Sequence, residues 1–267
     1  MSVEVLISTM HKEKDEYSLL DYMNIQTNAV VINQCNRCDK KVFNHNGNKI
    51  IWIDTTERGL SKSRNKAIAN ASSDICLLAD DDEILLDGYK DIIEKAFYKH
   101  QDYDLIRFKI RGIEKNFKEY QIKPCEINMR LSLKISSVEV AFKRKTIVDK
   151  ALIFDELIGA GTEFLMGEEN AFIVDYLRKK CRAWYEPVEI AKLHVGNSSW
   201  FTGFNEEYYF ARGASYAAIS PMGSYFLSIL FALKHRKNTA LSIVKTSCLM
   251  FRGIRCYKKK KELQYGK

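Results

Sequence analysis

The stretch Gly59–Glu83 reads GLSKSRNKAIANASSDICLLADDDE and indicates a helix, a buried strand and an acidic turn in succession. Small and apolar residues recur near one face of its first half, which predicts a helix over Leu60–Ala71 entered through Gly59. The apolar run Ile75–Ala79 then predicts a buried strand that ends at three consecutive aspartates. Such a helix-to-strand succession favours a parallel sheet, so chemistry is expected where this strand ends.

The flanking sequence repeats the alternation of strand and helix. The other predicted strands are Val3–Ser8, Ala29–Asn33, Ile50–Asp54, Leu105–Arg111 and Val138–Lys143, and the other predicted helices are Tyr17–Met23, Gly88–Tyr98 and Glu168–Lys180. This pattern indicates an α/β fold with a doubly wound sheet, whose ligands bind beyond the carboxyl ends of the strands. The glycine-rich fingerprints of dinucleotide oxidoreductases and P-loop enzymes are missing from the sequence, which excludes both classes.

Composition narrows the range of partners. The chain has 267 residues with 46% apolar content and a net charge of +8, enough for a large core and incompatible with a disordered or fibrous protein. The segment 222–267 holds eleven Lys or Arg and a single acid, Glu262, so the rest of the chain is nearly neutral. The excess therefore predicts an anionic membrane surface as a partner and argues against nucleic acid.

The amino-terminal sequence and the number and spacing of the cysteines both indicate a cytoplasmic protein. The residues Met1–Met10 lack a basic flank followed by a long apolar core, so neither a signal peptide nor a transit peptide is expected. Seven scattered cysteines favour reduced thiols over a disulfide framework. Cys35 and Cys38 form a C-x-x-C pair without further zinc ligands nearby, and a loop after a strand is the preferred interpretation.

Two charged clusters follow predicted strands. The triplet Asp80–Asp82 favours a divalent cation, because adjacent carboxylates repel one another unless a cation offsets their charge; the alternative is an acidic helix cap. The stretch Glu57–Lys66 holds four basic side chains at a strand-to-helix junction, which suits a diphosphate. The alternative for this stretch is a solvated basic helix face. Together the clusters suggest a metal-bridged nucleoside diphosphate.

The carboxyl-terminal segment has an apolar and basic pattern. No charged residue occurs in Gly213–Leu233, which is long enough to span a bilayer, but Pro221 and Gly223 argue against a regular spanning helix. A second apolar segment, Leu241–Arg255, contains interspersed basic residues. The pattern predicts a pair of helices lying at a membrane surface. The alternative is a helical cap on the preceding domain.

Four ordered motifs resemble a known family. LISTMHKE (6–13), the stretch Gly59–Glu83, FDELIGAGTEFLMGEENAFIVDYL (154–177) and His194 are together similar to the family 2 glycosyltransferases with a GT-A fold, of the bacterial cell-surface polysaccharide type. The resemblance implies a mixed, mainly parallel sheet flanked by helices. It implies a glycosyltransferase domain over 1–205, with a donor half at about 1–110 and an acceptor half at about 111–205. The remainder, 206–267, is expected to be a helical, basic, membrane-associating tail.

The resemblance also implies roles for individual residues. The expected donor-binding residues are Thr9, Asn33, Lys62, Arg64, Asp80 and Asp81; the expected ligands of Mg²⁺ or Mn²⁺ are Asp80, Asp82 and His194; the expected catalytic base is Glu169, with Glu168 second and Asp155 third. Two simpler interpretations stay open. Glu168 and Glu169 also suit a helix N-terminus, and a lone histidine such as His194 is often structural.

Two features leave details of the donor and the acceptor open. Many family members carry acidic residues after the second strand, whereas this chain has Asn33, Gln34 and Cys35, so the donor nucleotide is not fixed by the sequence. Four aromatic residues suit either a sugar-binding surface or the core, and no role is assigned to them: Trp184, Trp200, Phe201 and Phe204.

The sequence thus predicts a metal-dependent, inverting hexosyl- or N-acetylhexosaminyltransferase. Its donor is a nucleotide sugar, with a UDP-sugar favoured, and its acceptor is a glycan, expected to be lipid-linked, in capsule or exopolysaccharide synthesis. The expected location is the cytoplasmic face of the cell membrane, as a peripheral protein. Two alternatives remain: a nucleotidyltransferase similar to sugar-nucleotide pyrophosphorylases, and a non-catalytic basic protein that binds membrane or nucleic acid. Neither explains the acidic triplet and the GEEN motif, 167–170, together.

Overall fold

The structure is a computed structural model that describes residues 1–196 and 203–265. The described residues form two compact units. The first comprises Met1–Arg58, Lys62–Ile153 and 176–196, and the second comprises Gly59–Ser61, Phe154–Asp175 and 203–265. Trp200 and Phe201 lie outside the described residues. The predicted domain boundary near residue 205 stays a prediction, since the compact units divide the chain differently.

The first unit is built on one ten-stranded sheet. Its strands are β1 Val3–Met10, β2 Asn28–Gln34, β3 Asp39–His45, β4 Asn48–Thr55, β5 Ile75–Asp80, β6 Glu83–Leu85, β7 Leu105–Gly112, β8 Cys125–Glu126, β9 Val140–Lys143 and β10 Ala183–Leu193. They lie in the order β3-β4-β2-β1-β5-β9-β7-β10-β6, and β8 pairs with β10. The predicted mixed, mainly parallel α/β sheet is confirmed.

The centre of this sheet is the parallel block β4-β2-β1-β5. These strands are near-continuous apolar runs because helices cover a parallel sheet on both faces. Val5, Ile7 and Val31 are fully buried in the core, which also includes Ile93 and Phe97 of a flanking helix. The block therefore aligns four strand carboxyl ends along one edge of the sheet.

The described helices are α1 Ser18–Tyr22, α2 Leu60–Asn70, α3 Tyr89–Lys99, α4 Met129–Ser132, α5 Arg144–Asp149, α6 Glu168–Arg178, α7 Glu206–Ile219, α8 Ser224–Lys234 and α9 Ile243–Tyr265. A single 3-10 turn, Ser137–Glu139, precedes β9. The predicted helices of residues 1–180 are all present, with ends that differ by one or two residues. Val138 and Glu139, expected to start a strand, instead belong to the 3-10 turn.

The second unit is mainly helical. Its core joins the loop before α6, at Ile158 and Phe164, to Ala214 of α7 and to Ile254 and Tyr257 of α9. Within this unit, α7 is therefore a buried helix whose neighbours cover the small side chains along its length.

The first segment of the expected pair of interfacial helices forms two helices, and membrane association stays a prediction. The uncharged segment Gly213–Leu233 is split between α7 and α8, which end and begin on either side of Pro221, and proline cannot continue a helix. The part in α7 is packed within the second unit, as the cap alternative expects, and so it does not lie on a free surface. Among the described residues, no helix is both long enough and apolar enough to cross a membrane.

Candidate functional site

The register of the parallel block gathers polar residues at one edge of the sheet. Ser8 of β1 lies opposite Asp80 of β5, Thr9 lies opposite Asn33 of β2, and Asn33 lies opposite Asp54 of β4. Residues far apart in the sequence thus become neighbours where the strands end. This edge is where a sheet of this type binds its ligands.

Asn33 is fully buried, and its amide group holds the loop that follows β1. Its Nδ2 donates to Asp54 Oδ1 at 2.7 Å and to the carbonyl oxygen of Lys12 at 3.1 Å, while its Oδ1 accepts from the Lys12 N–H at 3.1 Å. Arg37 Nε donates to Asp54 Oδ2 at 2.5 Å, and Trp52 Nε1 donates to Asp54 Oδ1 at 3.0 Å. Burial alone would raise the pKa of Asp54, but hydrogen bonds from Arg37, Asn33 and Trp52 lower it. Asp54 is therefore an anion that shapes this end of the edge.

Asp81 of the acidic turn is tied to the end of β1. Thr9 Oγ1 donates to Asp81 Oδ2 at 2.5 Å, and Lys12 Nζ lies 3.8 Å from the same oxygen. Thr9 is buried, whereas Asp81 and Lys12 are partly exposed. Two predicted donor-binding residues, Thr9 and Asp81, are thus in direct contact.

Arg64 reaches the same turn from α2. Its side chain is 3% exposed, and Nη2 lies 3.3 Å from Asp80 Oδ1 and donates to Ser137 Oγ at 2.6 Å. Ser63, one residue earlier, donates to Ser8 Oγ at 2.8 Å, which fastens α2 to the end of β1. The predicted pairing of basic and acidic groups at this edge therefore exists between Arg64 and Asp80.

Lys62 lies half-buried on α2 and acts on a different carboxylate. The hydrogen bond from Lys66 and, to a smaller extent, the charge of Lys62 lower the pKa of Glu57. Lys66 also forms an ion pair with Glu57 and donates to Thr55 Oγ1 at 3.0 Å. Of the basic stretch, Arg64 is thus the residue that contacts the acidic triplet directly.

The 3-10 turn that carries Ser137 rests on a buried charge network. Glu139 is fully buried and accepts from Arg107 Nε and Nη2, both at 3.1 Å, and from Tyr120 Oη at 2.5 Å. Lys118 Nζ lies 3.1 Å from Glu139 Oε2. Because a buried carboxyl group without partners is costly, these contacts fix the turn and with it the position of Ser137.

Glu83 and Asp82 complete the acidic turn. Glu83 is buried and its Oε2 accepts from the Asp80 N–H at 3.0 Å; burial raises its pKa well above the usual value. Asp82 is exposed as a whole residue, yet partial loss of water around its carboxyl and then the charge of Asp80 raise its pKa to about 6. This concentration of carboxyl groups disfavours negative charge and therefore favours a cation.

The antiparallel pairing of β10 with β6 brings His194 to this turn. Leu193 lies opposite Glu83, and the N–H of His194 donates to the carbonyl oxygen of Asp82 at 3.1 Å. The ring Nδ1 of His194 lies 2.6 Å from Glu114 Oε1, and the Val195 N–H donates to Glu114 Oε2 at 2.8 Å. The hydrogen bond with His194 lowers the pKa of Glu114 to about 2.

These residues fit a divalent cation by their chemistry. Hard cations prefer carboxylate oxygens, and a metal-binding histidine is commonly oriented by a carboxylate at its other ring nitrogen, as Glu114 is at His194. Within 1–196 and 203–265, however, no three His, Cys, Asp or Glu side chains form a preassembled ligand group. Cys35 and Cys38, both free thiols, flank the turn between β2 and β3, as the loop interpretation expects.

The second unit holds the two predicted catalytic glutamates at the start of α6. Glu168 is buried, and a Cβ added at Gly159 would lie 2.9 Å from its Cδ, so its side chain packs against the backbone of that glycine. Glu169 is partly exposed, and it has no hydrogen-bond or ion-pair partner in the part of the chain that the structure describes. Of the two, Glu169 is the carboxylate available to a ligand.

The backbone just before these glutamates is close to α7. Gly167 has φ +95°, and a Cβ there would lie 2.0 Å from Ser215 Oγ, so the position requires glycine. Asp155, the third predicted base, instead accepts a hydrogen bond from Tyr257 Oη at 2.5 Å and pairs with Lys261 at 2.7 Å. These contacts make Asp155 a link between the loop and α9.

An open cleft of about 460 Å³ lies beside this loop within the second unit. Its volume falls in the range of small-molecule sites. The loop contributes Thr162, Glu163 and Leu165 to its lining. Helices α7 and α9 contribute the rest: Glu206, Glu207, Phe210, Leu249 and Arg252.

Several residues of the site were given no individual role by the sequence analysis. Asp54 and Arg37 lie at the same edge as Asn33, and Ser137 and Glu114 orient Arg64 and His194. The one available signal was Asp54, which ends the apolar run of a predicted strand. The others come from loops and turns whose positions depend on the register of distant strands.

Comparisons with known proteins bear on the family and the fold of this chain. A family model described as glycosyl transferase family 2 matches residues 30–154. The chain is similar to S. aureus TarS 1–349 in complex with UDP (TM-score 0.58, 13% identity, 100% of this chain and 73% of that one) and in complex with UDP-GlcNAc (TM-score 0.56, 14% identity, 100% and 76%). It covers 46% of the chain in another S. aureus TarS structure (TM-score 0.55, 14% identity, 100% of this chain). At these identities the likeness shows a shared fold. No curated protein matches the sequence.

Proposed function

We propose that this chain, which carries a glycosyl transferase family 2 domain over residues 30–154, moves a sugar from a nucleotide-diphosphate sugar to an acceptor hydroxyl with inversion. The observation that carries the proposal is the edge of the sheet where Thr9, Arg64 and the acidic turn meet. A UDP-sugar is the favoured donor, because S. aureus TarS, which has the same fold, is known in complex with UDP and with UDP-GlcNAc. The transferred group is then a hexosyl or an N-acetylhexosaminyl residue.

The basic side chains at this edge suit the donor diphosphate. Arg64 is held in place by Asp80 and Ser137, and Lys12 lies next to Asp81, so positive charge is positioned before a ligand arrives. Preorganised charge of this kind stabilises the charge that develops on a leaving diphosphate. Asn33 holds the loop after β1 and Thr9 holds Asp81, and this part of the edge faces the nucleoside in the proposal.

Asp80, Asp82 and His194 would hold Mg²⁺ or Mn²⁺, which when bound supplies Lewis-acid neutralisation of the diphosphate. The chain prepares His194 for this role through Glu114. Glu114 contacts Nδ1 and orients the ring, so Nε2 is the nitrogen that would bind the cation. The raised pKa of Asp82 means that this residue must lose a proton near pH 6 to become a ligand.

Glu169 serves as the general base. The acceptor oxygen attacks the anomeric carbon, the bond from that carbon to the diphosphate oxygen breaks, and Glu169 takes the acceptor proton. A partly exposed carboxylate without a partner among the described residues supports this role better than the buried Glu168. Inversion follows because attack and departure occur on opposite faces of one carbon.

The acceptor in this proposal is a lipid-linked glycan used for capsule or exopolysaccharide synthesis. The open cleft beside the loop 162–165 offers exposed polar and apolar surface for a glycan. The basic tail, with no acid from Tyr208 to Lys261, supports a peripheral position on the cytoplasmic face of the membrane.

The test is a panel of sugar nucleotides scored for release of nucleoside diphosphate. UDP-sugars with Mg²⁺ or Mn²⁺ should give slow release without an acceptor, and Asp82→Ala should remove it. Asp91→Asn, an exposed carboxylate on α3, is the matched control and should retain full activity.

Three outcomes would contradict parts of the proposal. Full release in excess chelator would exclude the cation. Formation of a sugar nucleotide from a nucleoside triphosphate and a sugar 1-phosphate would favour a nucleotidyltransferase. Salt-sensitive nucleic-acid binding that survives loss of Asp80, Asp81 and Asp82, without sugar release, would favour the non-catalytic alternative.

A further inference from the structure

Helix α8 is amphipathic, but the face that it buries carries small and hydroxylated side chains. Its buried positions are Ser224, Ser228 and Ala232, spaced four residues apart on one face, and Ser228 Oγ donates to the Ser224 carbonyl oxygen at 2.8 Å. A helix at the surface of a water-soluble protein normally buries its large apolar side chains and exposes its polar ones. In α8 the small and hydroxylated residues instead face the other elements of the second unit.

Several large apolar side chains of α8 point outward and form a row with Met222, which precedes the helix, whereas Phe231 packs against the core of the second unit. We call this row the apolar stripe; it comprises Met222, Phe226, Ile229, Leu230 and Leu233, of which Met222 is 98% exposed and Phe226 is 65% exposed. The spacing of three and four residues places the members of α8 on one face. An exposed apolar surface of this extent marks a site of contact.

Basic groups stand at both ends of the stripe. Lys234, Arg236 and Lys237 are exposed and follow its carboxyl end directly. At the other end, Lys258 Nζ donates to the Pro221 carbonyl oxygen at 2.9 Å, which holds an ammonium group beside Met222. No acidic residue occurs anywhere from Tyr208 to Lys261. The surface around the stripe therefore complements an anionic partner.

We propose that the apolar stripe of α8 inserts into the headgroup region of a bilayer that contains anionic lipids, with the helix lying parallel to the membrane. This inference rests on the proposed function, for which it names the membrane-contacting element. Eleven residues of helix measure about 16 Å, roughly half the thickness of a hydrocarbon core, so α8 lies in the interface. The flanking Lys and Arg then reach lipid phosphates while the stripe is withdrawn from water.

A second copy of the chain is a poorer occupant. Two stripes packed against each other would bring the basic groups at the ends of α8 close to those of the other copy. Like charges so close together oppose association unless anions lie between them. An anionic lipid surface removes this repulsion and covers the stripe at the same time.

The test is sedimentation of the full-length protein with vesicles of phosphatidylglycerol and phosphatidylcholine. Replacing two members of the stripe, Phe226→Ser with Leu230→Ser, should weaken binding at least about tenfold, since each substitution removes a large apolar side chain from the membrane contact. The matched control is Tyr98→Ser with Ile122→Ser, two apolar residues of the first unit that are 73% and 93% exposed. The control should bind as the wild type does.

A second measurement separates insertion from adsorption by charge alone. Phe226→Trp should give a blue-shifted emission that lipids brominated on their acyl chains quench, whereas Tyr98→Trp should remain unquenched. Replacing Lys234, Arg236 and Lys237 by Gln should lower the affinity for anionic vesicles roughly fivefold per residue. Absence of quenching at Phe226, with binding that salt abolishes, would overturn the proposal.

Two further outcomes would also overturn it. One is equal vesicle binding by the wild type and by the Phe226→Ser, Leu230→Ser variant. The other is a wild-type dimer that this variant converts to a monomer, without vesicle binding by either. Donor hydrolysis in the absence of vesicles is measured in parallel, and the stripe variant should keep the wild-type rate. Loss of vesicle binding with intact hydrolysis, or the reverse, distinguishes failure of this inference from failure of the transferase proposal.

Discussion

Asp82 is a carboxyl group whose charge the fold disfavours. Loss of water around it and the charge of Asp80 raise its pKa to about 6, from 3.8 in an ordinary environment. The folded chain therefore holds a proton more tightly than the unfolded chain does between these values. Without a cation, the free energy of unfolding should fall as pH rises from about 4 to about 6 and remain lower above it.

This pH dependence predicts the effect of Asp82→Asn. In chelator at pH 7.5 the variant should be more stable than the wild type, by less than about 1 kcal/mol because water screens an exposed side chain. At pH 4 the difference should vanish, since the wild-type carboxyl is then protonated in the folded protein. Thermal unfolding at both pH values measures the effect. Equal stability at pH 7.5 would contradict it, with Asp91→Asn as the control.

Glu169 and Glu168 are adjacent glutamates whose roles can be separated by substitution. Glu169→Gln should lower the rate of sugar transfer by at least about a hundredfold, as loss of a general base commonly does, and should leave donor affinity unchanged. Glu168→Gln should instead reduce thermal stability, because its buried side chain packs at Gly159. Transfer kinetics with calorimetric donor binding distinguish the two. Wild-type turnover by Glu169→Gln would move the base elsewhere.

Ser137 supports Arg64 from the 3-10 turn. Ser137→Ala removes one acceptor, 2.6 Å from Arg64 Nη2, and leaves the contact with Asp80; it should lower the free energy of unfolding by roughly 1.5–3 kcal/mol, the contribution of a hydrogen bond from a charged group. The Michaelis constant for the donor should rise at the same time. Urea denaturation and donor kinetics measure both effects, and the exposed Ser72→Ala is the control. A Ser137→Ala variant unchanged in both would show that Arg64 needs no such support.

At the scale of elements, α7 and α9 cross at two glycines. A Cβ at Gly213 would lie 2.0 Å from the Met250 carbonyl oxygen, and one at Gly253 would lie 1.9 Å from the Phe210 carbonyl oxygen. Both contacts are with backbone, which cannot rotate away. The two helices therefore approach as closely as they do because neither has a side chain at the crossing.

This crossing predicts that Gly213→Ala or Gly253→Ala forces the helices apart. Each should lower the free energy of unfolding of the second unit by about 1–3 kcal/mol or more, the usual cost of overpacking, although alanine favours a helix. Chemical denaturation measures the effect. Cys248→Ala, at an exposed position on α9, is the control and should be nearly neutral. Stabilisation by either glycine variant would contradict the packing described.

The local sequence pattern predicts many of the strands and helices, whereas the order of the strands in the sheet depends on long-range pairing. A short apolar run such as the one in β5, Ile75–Asp80, predicts a strand that is buried on both faces of a sheet. Helices α2 and α3 are predicted by the helical spacing of their apolar residues. The insertion of β9 between β5 and β7 was not predictable, since it depends on long-range pairing. The break at Pro221 was visible in the sequence, but the burial of α7 depends on its partners.

The candidate site was predictable only in part, for the same reason. Asp80–Asp82 and Arg64 stand out because clustered charge after a strand is unusual. Asp54 ends a predicted strand, but its partner Asn33 follows from strand register; Ser137 has no signal in the sequence and is brought to Arg64 by a buried network. Glu169 was favoured through family resemblance, and its role stays a prediction.

At the scale of the whole molecule, α9 is needed by the second unit. Ile254 and Tyr257 share a core with Ile158 and Phe164, and Tyr257 Oη donates to Asp155. A chain truncated after Ser242 should therefore expose the loop 154–166 to hydrogen exchange and lose sugar transfer. The Phe226→Ser, Leu230→Ser variant should keep both properties. Native-state exchange measures this, and full protection in the truncated chain would contradict the packing.

The contact between the start of α2 and the loop 158–161 has a consequence for biosynthesis. The Leu60 N–H donates to the Ala160 carbonyl oxygen at 2.9 Å, and Ser61 Oγ donates to the Ile158 carbonyl oxygen, 97 residues away in the chain, at 2.8 Å. On the ribosome, the first turn of α2 must wait roughly 5–20 s for these partners at ordinary rates of translation. Throughout that interval, Leu60 and Ser61 of the nascent chain lack these two hydrogen-bond acceptors, and their donor groups are accessible to a chaperone.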